Sequence, residues 1–426
     1  MPSRDYVPRI VDTELDALLP ILPAVALEGA KGVGKTATAE RRAATVRALD
    51  RPGVLELAVA DPQRLISGRR PVLIDQWQRL PQSWDLVRRA VDTDPSPGQF
   101  LLAGSASPRT PGTHSGAGRI VRLKMRPLAL TERTGHPPTV SLGDLLRGRR
   151  GPIVGTTAVS LDDYAAEICA SGLPGLRGMP PRAVRAELDG YLDLIIDRDF
   201  ADMGQTVRRP GTLRRWMTAY AAATATTAAY DAVRDAATPG EGEKPAKTTI
   251  QAYRDVLERL WILEPLPAWL PTHNHLRRLS AAPKHHLADP ALAARLLGVD
   301  PGALLDARPA RPGLARDTTL IGQLFESLIT LGVRVYAQAA EARVSHLRTH
   351  AGEHEVDLIV ERGDHRILAI EVKLAASVGD ADVRHLRWLA DRLGADLLDA
   401  VVVTTGTDAY RRPDGMAVVP AALLGP

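Results

Sequence analysis

The sequence predicts an α/β protein whose N-terminal region is a parallel sheet covered by helices. Over residues 24–135, short apolar runs alternate with helical stretches, which is typical of such a sheet. Residues 161–230 are largely helical in pattern, and residues 343–404 return to strand-like runs. We therefore expect three parts, at residues 1–135, 136–275 and 276–426.

Composition excludes several classes of protein. The chain has 426 residues, 45% of them hydrophobic, so it can form large cores and is not disordered overall. No apolar run approaches the roughly 18 residues that span a bilayer, and the first residues lack the apolar core of a secretion signal. With the lone Cys169, these features predict a cytoplasmic protein without a membrane partner. The net charge of +4 permits a nucleic-acid partner but does not indicate one.

The N-terminal elements follow from these patterns. We expect strands at Ala24–Leu27, Pro71–Asp75 and Phe100–Gly104, and helices at Thr36–Leu49 and Trp84–Val91. Residues 136–157 are rich in Pro, Gly and Arg and are interpreted as a connector.

Later elements alternate less regularly. The helical residues 161–230 are interrupted by a Gly/Pro-bearing loop at 171–181, and residues 238–247 are expected to be a polar loop. The remaining expected elements are helices at Ile250–Leu263, Leu320–Leu331 and Ala381–Leu393, and strands at Arg343–Arg348, Glu355–Glu361, Arg366–Val372 and Asp399–Thr404.

A phosphate-binding loop is the strongest signal. The pattern G-x-x-x-x-G-K-[ST], placed after a strand and before a helix, is met in full by Gly29, Ala30, Lys31, Gly32, Val33, Gly34, Lys35 and Thr36. The glycines let successive backbone N–H groups face the phosphates at a helix N-terminus. Lys35 would neutralise phosphate charge, and Thr36 would supply a hydroxyl ligand to Mg²⁺. Lys is rare in this chain, with seven against 47 Arg, so a Lys inside a motif is seldom accidental.

Two further positions belong to the same predicted site. Asp75 ends an apolar strand and is expected to hold the Mg²⁺ shell. Gln76 follows it, and an amide can orient water but cannot act as a base. Ser105, after the next apolar strand, is either a hydroxyl near the terminal phosphate or a small residue at a tight strand exit.

These motifs resemble a prokaryotic AAA-type ATPase family whose members carry a C-terminal domain of unknown function. The resemblance covers nearly the whole chain and includes Tyr6-Val-Pro-Arg9, the loop 29–36, Leu73–Gln78, Leu102–Ser105, Gly118–Arg119, Arg126–Leu130, Ser171–Pro174, Tyr191–Phe200, Thr248–Leu257 and Pro283–Asp289. It implies a P-loop NTPase sheet, ATP with Mg²⁺ as cofactors, and a winged-helix-like module in the middle. Family members usually have Glu where this chain has Gln76.

A second set of charged residues lies near the C-terminus. Glu326 is on a predicted helix, Asp357 on one strand, and Glu371 and Lys373 on the next. This order resembles the restriction-endonuclease-like core of the PD-(D/E)xK type. Alternation along a strand puts Glu371 and Lys373 on one face, where Asp357, Glu371 and Glu326 could hold Mg²⁺ and Lys373 could activate water. The alternative is a fold of this kind that has lost its activity and is used for binding or docking.

Taken together, the sequence predicts an ATP-binding protein that hydrolyses ATP slowly and acts as a nucleotide-controlled switch. DNA or a protein is the expected partner, and the oligomeric state is left open. The alternative is an ATP-gated, metal-dependent nuclease that uses the C-terminal carboxylates and Lys373.

Overall fold

A computed structural model describes residues 6–105, 117–135, 137–205, 207–238, 244–270, 281–306, 320–349 and 352–426. The chain divides into two compact units. Unit 1 consists of Met1–Pro127, Leu173–Gly175 and Leu257–Ile262, and unit 2 contains the rest. The three-part division expected from the sequence stays a prediction.

Unit 1 is built around a sheet in which all strands are parallel, in the order β2-β3-β4-β1-β5. Its elements are α1 (Ile10–Leu18), β1 (Ala24–Glu28), α2 (Lys35–Glu40), β2 (Thr45–Ala48), α3 (Pro52–Ala60), β3 (Val72–Asp75), α4 (Gln82–Thr93), β4 (Phe100–Gly104) and β5 (Val121–Lys124).

The central strands of this sheet are completely buried. Every residue of β1, β3 and β4 is buried, as expected for parallel strands covered on both faces. On one face, Trp84 of α4 packs against Trp77, with ring centroids 4.9 Å apart. The predicted strands Pro71–Asp75 and Phe100–Gly104 and the helix Trp84–Val91 are confirmed to within two residues at each end.

The predicted helix Thr36–Leu49 is wrong in its second half. Helix α2 ends at Glu40, and residues 45–48 form β2, which pairs with β3 in the register Thr45 to Val72. The Ala- and Arg-rich sequence favours a helix locally, but pairing with a neighbouring strand outweighs that propensity.

Unit 2 begins with short elements followed by helices. The helical character expected for residues 161–230 is confirmed. The elements up to residue 270 are α5 (Leu130–Thr134), β6 (Val140–Ser141), α6 (Leu142–Leu146), β7 (Gly155–Thr156), α7 (Leu161–Ala170), α8 (Pro181–Leu194), α9 (Phe200–Asp202), α10 (Pro210–Ala222), α11 (Tyr230–Ala236), α12 (Lys247–Arg259, whose last residues belong to unit 1) and β8 (Ala268–Trp269).

The rest of unit 2 is a mixed sheet with helices packed against it. Its elements are α13 (Pro290–Leu296), α14 (Pro301–Leu305), α15 (Leu320–Ala339), β9 (Arg343–Arg348), β10 (Glu355–Glu361), β11 (Ile367–Lys373), α16 (Arg384–Leu393), β12 (Leu397–Thr404), β13 (Asp408–Arg411), β14 (Ala417–Pro420) and β15 (Leu424–Gly425). The sheet order is β7-β13-β14-β12-β11-β10-β9-β8. Strand β10 is antiparallel to both of its neighbours, β9 and β11, whereas β12 runs parallel to β11 and β8 runs parallel to β9.

The C-terminal strands and helices are confirmed, except that α15 continues eight residues beyond the expected end at Leu331, and the connector at residues 136–157 is wrong. That segment contains α6 and two short strands. Strand β6 pairs with β15 and β7 pairs with β13, so both partners lie more than 250 residues away along the chain. Pro and Gly content predicts local turns but carries no information about such distant pairing.

Among the described residues, one helix is long and apolar enough to cross a membrane. It is α15, and 72% of its most apolar stretch is buried inside the protein. A core helix has the same length and composition, and Glu326 lies within α15, so this is weak evidence for a membrane span.

Candidate functional site

The phosphate-binding loop connects β1 to α2 at the carboxyl edge of the unit 1 sheet. Two glycines are required by its shape. Gly34 has φ 101° and ψ 14°, a left-handed conformation that L side chains rarely adopt. A Cβ on Gly29 would overlap the carbonyl oxygen of Met125. The loop is therefore shaped by backbone geometry that the motif predicts.

The side chain of Lys35 is folded back into the loop. Its ammonium donates to the carbonyl oxygens of Gly29 at 2.8 Å and Ala30 at 2.7 Å, and only 5% of the residue is exposed. Burial lowers the pKa of Lys35 to about 7, since neutral carbonyls and the nearby Asp75 compensate the desolvated charge incompletely. An anion at this position would supply the missing compensation.

Thr36 and Asp75 are in direct contact. The Thr36 hydroxyl lies 3.0 Å and 3.1 Å from the two carboxylate oxygens of Asp75, at the end of β3. Burial raises the pKa of Asp75, and the hydrogen bond from Thr36 works in the opposite direction. The two residues that the sequence assigned to Mg²⁺ are thus brought together.

Gln76 and Ser105 flank this pair. Gln76 has φ 55°, and its side-chain oxygen accepts a hydrogen bond of 2.7 Å from Nε2 of Gln78. Strand β4 lies between β1 and β3, so Ser105, which directly follows β4 and is buried, lies between the ends that carry the loop and Asp75. The structure places both residues at the predicted edge, and their catalytic roles stay predictions.

Arg9 is a supporting residue to which the sequence assigned no role. It is 5% exposed, and its guanidinium donates to the carbonyl oxygens of Val33 and Arg126, both at 2.7 Å. It therefore ties the loop backbone to the segment after β5. The motif Tyr6-Val-Pro-Arg9 was a signal, but its 24-residue separation from Val33 hid the contact.

The residues of this edge fit a magnesium triphosphate. A hydroxyl and a carboxylate are the hard oxygen donors that Mg²⁺ prefers, and here they are adjacent. Gly29–Thr36 supply backbone N–H groups at a helix N-terminus, together with a buried cation.

The C-terminal charged residues also lie together, within unit 2, but an additional cation occupies their centre. Lys284 is 1% exposed, and its ammonium lies 2.9 Å from Glu326, 3.0 Å from Glu355 and 2.9 Å from Asp357. These three carboxylates raise the pKa of Lys284 well above its usual value in spite of the opposing effect of burial. Sequence reasoning did not assign a role to Lys284 or Glu355.

Glu371 and Lys373 form the other half of this cluster. The Lys373 ammonium lies 2.7 Å from Oε1 of Glu371, as expected for one face of a strand. Burial, and then the charge of Asp357, raise the pKa of Glu371 to about 8, and the same two causes raise that of Glu326 to about 8. In the part of the chain that the structure describes, no group of three or more His, Cys, Asp or Glu is arranged to hold a metal ion. Metal binding by these residues stays a prediction.

Comparison with known proteins divides the chain into three matched segments. Residues 22–134 match the profile of the AAA domain, residues 161–303 that of the domain of unknown function DUF8612, and residues 321–424 that of the domain of unknown function DUF4143.

Two curated relatives match about two thirds of the chain. Uncharacterised proteins of Mycobacterium bovis and Mycobacterium tuberculosis are each 29% identical over 294 residues, which is 67% of this chain and 59% of theirs. The chain therefore spans about three fifths of the length of these curated relatives. The structure of a Walker-type ATPase of Pyrococcus abyssi aligns with a TM-score of 0.39 and 16% identity, over 67% of this chain and 94% of that one.

The N-terminal match agrees with the geometry of unit 1. The profile covers the sheet from before β1 to α5, including the loop, Asp75 and Ser105. Residues 22–134 therefore resemble an AAA-type P-loop domain in both sequence and backbone geometry.

Proposed function

We propose that this protein binds ATP with Mg²⁺ at residues 29–36, hydrolyses it slowly, and uses the bound nucleotide as a switch. The observation that carries the proposal is the buried ammonium of Lys35, held by two neutral carbonyls of the loop. A triphosphate offers this cation more negative charge than the nearby Asp75 supplies. The choice of ATP rather than GTP follows the AAA-type match.

Different residues of the site are expected to bind the phosphates and the magnesium ion. Backbone N–H groups of the loop and Lys35 would hold the phosphates, and Thr36 and Asp75 would hold the magnesium ion, which neutralises phosphate charge. Gln76 lies beside Asp75 and can orient a water molecule through its amide. An amide does not accept a proton from water at this position. We therefore expect ATP to bind but to be hydrolysed slowly.

The test compares two lysines of the same loop. Lys35→Met should weaken ATP binding at least a hundredfold, and Lys31→Met, which removes a partly exposed charge, should weaken it less than tenfold. Isothermal titration calorimetry with Mg-ATP measures both. Equal losses in the two variants would overturn the nucleotide site.

The partner of the switch is expected to be DNA. The support is the winged-helix-like module that the family resemblance implies for the middle of the chain. Phosphate release with and without duplex DNA tests this expectation. A rate that is unchanged at DNA concentrations that saturate any measurable binding would favour a protein partner instead.

A further inference from the structure

The segment that carries Lys284 is an extended stretch within unit 2. The backbone N–H of Lys284 donates to the carbonyl oxygen of Leu266 at 3.0 Å, and the backbone N–H of Leu266 donates to the carbonyl oxygen of Lys284 at 2.8 Å. Side chains alternate along such a stretch. His285 contacts the carbonyl of Ala228 on one side, while Lys284 and His286 point to the other, where His286 meets Ser327 of α15. The backbone pairing therefore aims Lys284 at the carboxylates.

Most of the carboxylate oxygens that would ligate a metal already accept hydrogen bonds. Oδ1 of Asp357 accepts from Lys284, and Oδ2 accepts from the backbone N–H of Val372 at 2.9 Å. Oε1 of Glu326 accepts from Lys284, and Oε1 of Glu371 accepts from Lys373. Oε2 of Glu371 is buried without a hydrogen-bond partner in the described structure. Four of the six carboxylate oxygens of Glu326, Asp357 and Glu371 thus accept hydrogen bonds from protein donors, and a Mg²⁺ ion ligated by these oxygens would compete with those donors.

Charge repulsion also disfavours a divalent metal ion at this cluster. A divalent ion among these carboxylates would lie a few ångströms from the Lys284 ammonium, and like charges at that distance repel each other strongly in a buried site. The ammonium donates to Oε1 of Glu326 and Oδ1 of Asp357 and forms an ion pair of 3.0 Å with Glu355, so it neutralises carboxylate charge that a metal ion would otherwise balance.

We propose that the ammonium of Lys284 is the resident cation of this cluster and that it blocks a divalent-metal site formed by Glu326, Asp357 and Glu371. The cluster then fastens the segment at residue 284 to α15 and β10. A nuclease reaction that used these residues would lack its metal, which leaves the C-terminal domain as a docking or coupling module.

Mn²⁺ binding to the nucleotide-free full-length chain, measured by electron paramagnetic resonance, tests the proposal. The variants are Lys284→Gln, which removes the charge and shortens the side chain by one atom but keeps a hydrogen-bond donor, and Lys284→Gln combined with Asp357→Asn. Lys284→Arg is the matched control that keeps the charge. We expect Lys284→Gln to bind one Mn²⁺ at least tenfold more tightly than the native chain, and the double variant to lose this gain. Lys284→Arg should behave like the native chain.

Two results would overturn the proposal. The first is a folded Lys284→Gln variant whose Mn²⁺ affinity equals that of the native chain. The second is native Mn²⁺ binding that Asp357→Asn weakens, since the cluster would then hold a metal beside Lys284. If circular dichroism shows that Lys284→Gln does not fold, the native chain and Asp357→Asn alone decide. Equal binding supports the resident ammonium, and a difference refutes it.

Discussion

Lys35 and Lys284 are both almost completely buried, one in each unit, but their ammonium groups have opposite surroundings. Lys35 donates to two neutral carbonyl oxygens, and burial lowers its pKa to about 7. Lys284 lies within 3.0 Å of three carboxylates, which raise its pKa in spite of equally deep burial. Burial is thus similar, and the charge of the neighbours differs.

This difference distinguishes two kinds of site. We call the loop around Lys35 the open site, because its cation can still bind an anionic ligand, and the cluster around Lys284 the closed site, because its cation already has anionic partners. A buried cation with neutral partners gains much from an incoming anion, and the loop around Lys35 leaves its backbone N–H groups at a helix N-terminus for that anion. A buried cation with three carboxylates has its anions already. The same residue type therefore indicates ligand binding in unit 1 and internal structure in unit 2.

The largest expected effect comes from the same substitution at both lysines. Lys284→Met leaves three carboxylates close together without a cation, and breaking a buried ionic cluster in this way costs about 3–5 kcal/mol. Lys35→Met removes a charge that two neutral carbonyls and the nearby Asp75 compensate only incompletely, so the free energy of unfolding should change by less than about 1 kcal/mol or increase.

Peptide-resolved hydrogen exchange in urea measures the two units separately. Protection of β10 and β11 should fall in Lys284→Met, and protection of β1 and β3 should persist in Lys35→Met. If Lys35→Met destabilised its unit as much as Lys284→Met does, the contrast between the two environments would be wrong.

The sequence predicts the open site better than the closed one because the open site is local. The eight loop residues are consecutive, six of them directly before α2, and Asp75 is identified as the last residue of an apolar strand. The adjacency of Thr36 and Asp75 follows from the parallel order of the sheet. The contact of Arg9 with Val33 could not be predicted, since nothing in the spacing relates the two.

The closed site depends on contacts between distant residues. Lys284 is 42 residues from Glu326 and 73 from Asp357, and no periodic pattern connects them. One signal was present: Lys is rare in this chain, so an isolated Lys after Pro283 was informative. The wrong helix at residues 41–49 has the same origin, because the pairing of β2 with β3 is invisible to local propensity.

The second largest expected effect is on the rate of ATP hydrolysis, and it tests whether Gln76 keeps that rate low. Gln76→Glu places a carboxylate beside Asp75, where Gln78 can still donate to it. A positioned general base contributes about a hundredfold or more to a rate, and we expect phosphate release to rise at least tenfold. Release at saturating Mg-ATP measures it.

Gln78→Glu is the matched control, with the same chemical change two residues away. It should not raise the rate, because its carboxylate would face the oxygen of Gln76 rather than the nucleotide. An unchanged rate in Gln76→Glu would mean that proton abstraction at this position does not limit turnover.

The smallest expected effect is the uptake of a proton by Lys35 when ATP binds. Its pKa of about 7 applies to the nucleotide-free protein, so above pH 7 much of the side chain is neutral. Phosphates stabilise the ammonium and raise its pKa, so binding takes up at most one proton above pH 7 and almost none at pH 6. Affinity should accordingly fall with rising pH, by at most about tenfold per unit.

Calorimetry at pH 8 in two buffers with different ionisation enthalpies detects this proton. Terminal phosphates ionise near pH 6, so ATP contributes little at pH 8. The control is Lys35→Arg, whose guanidinium stays charged and should show no uptake if it binds. Identical binding enthalpies in the two buffers with the native chain would mean that Lys35 is charged before ATP arrives. The loop carbonyls would then hold its ammonium as firmly as the carboxylates hold that of Lys284, and the contrast between the two sites would be lost.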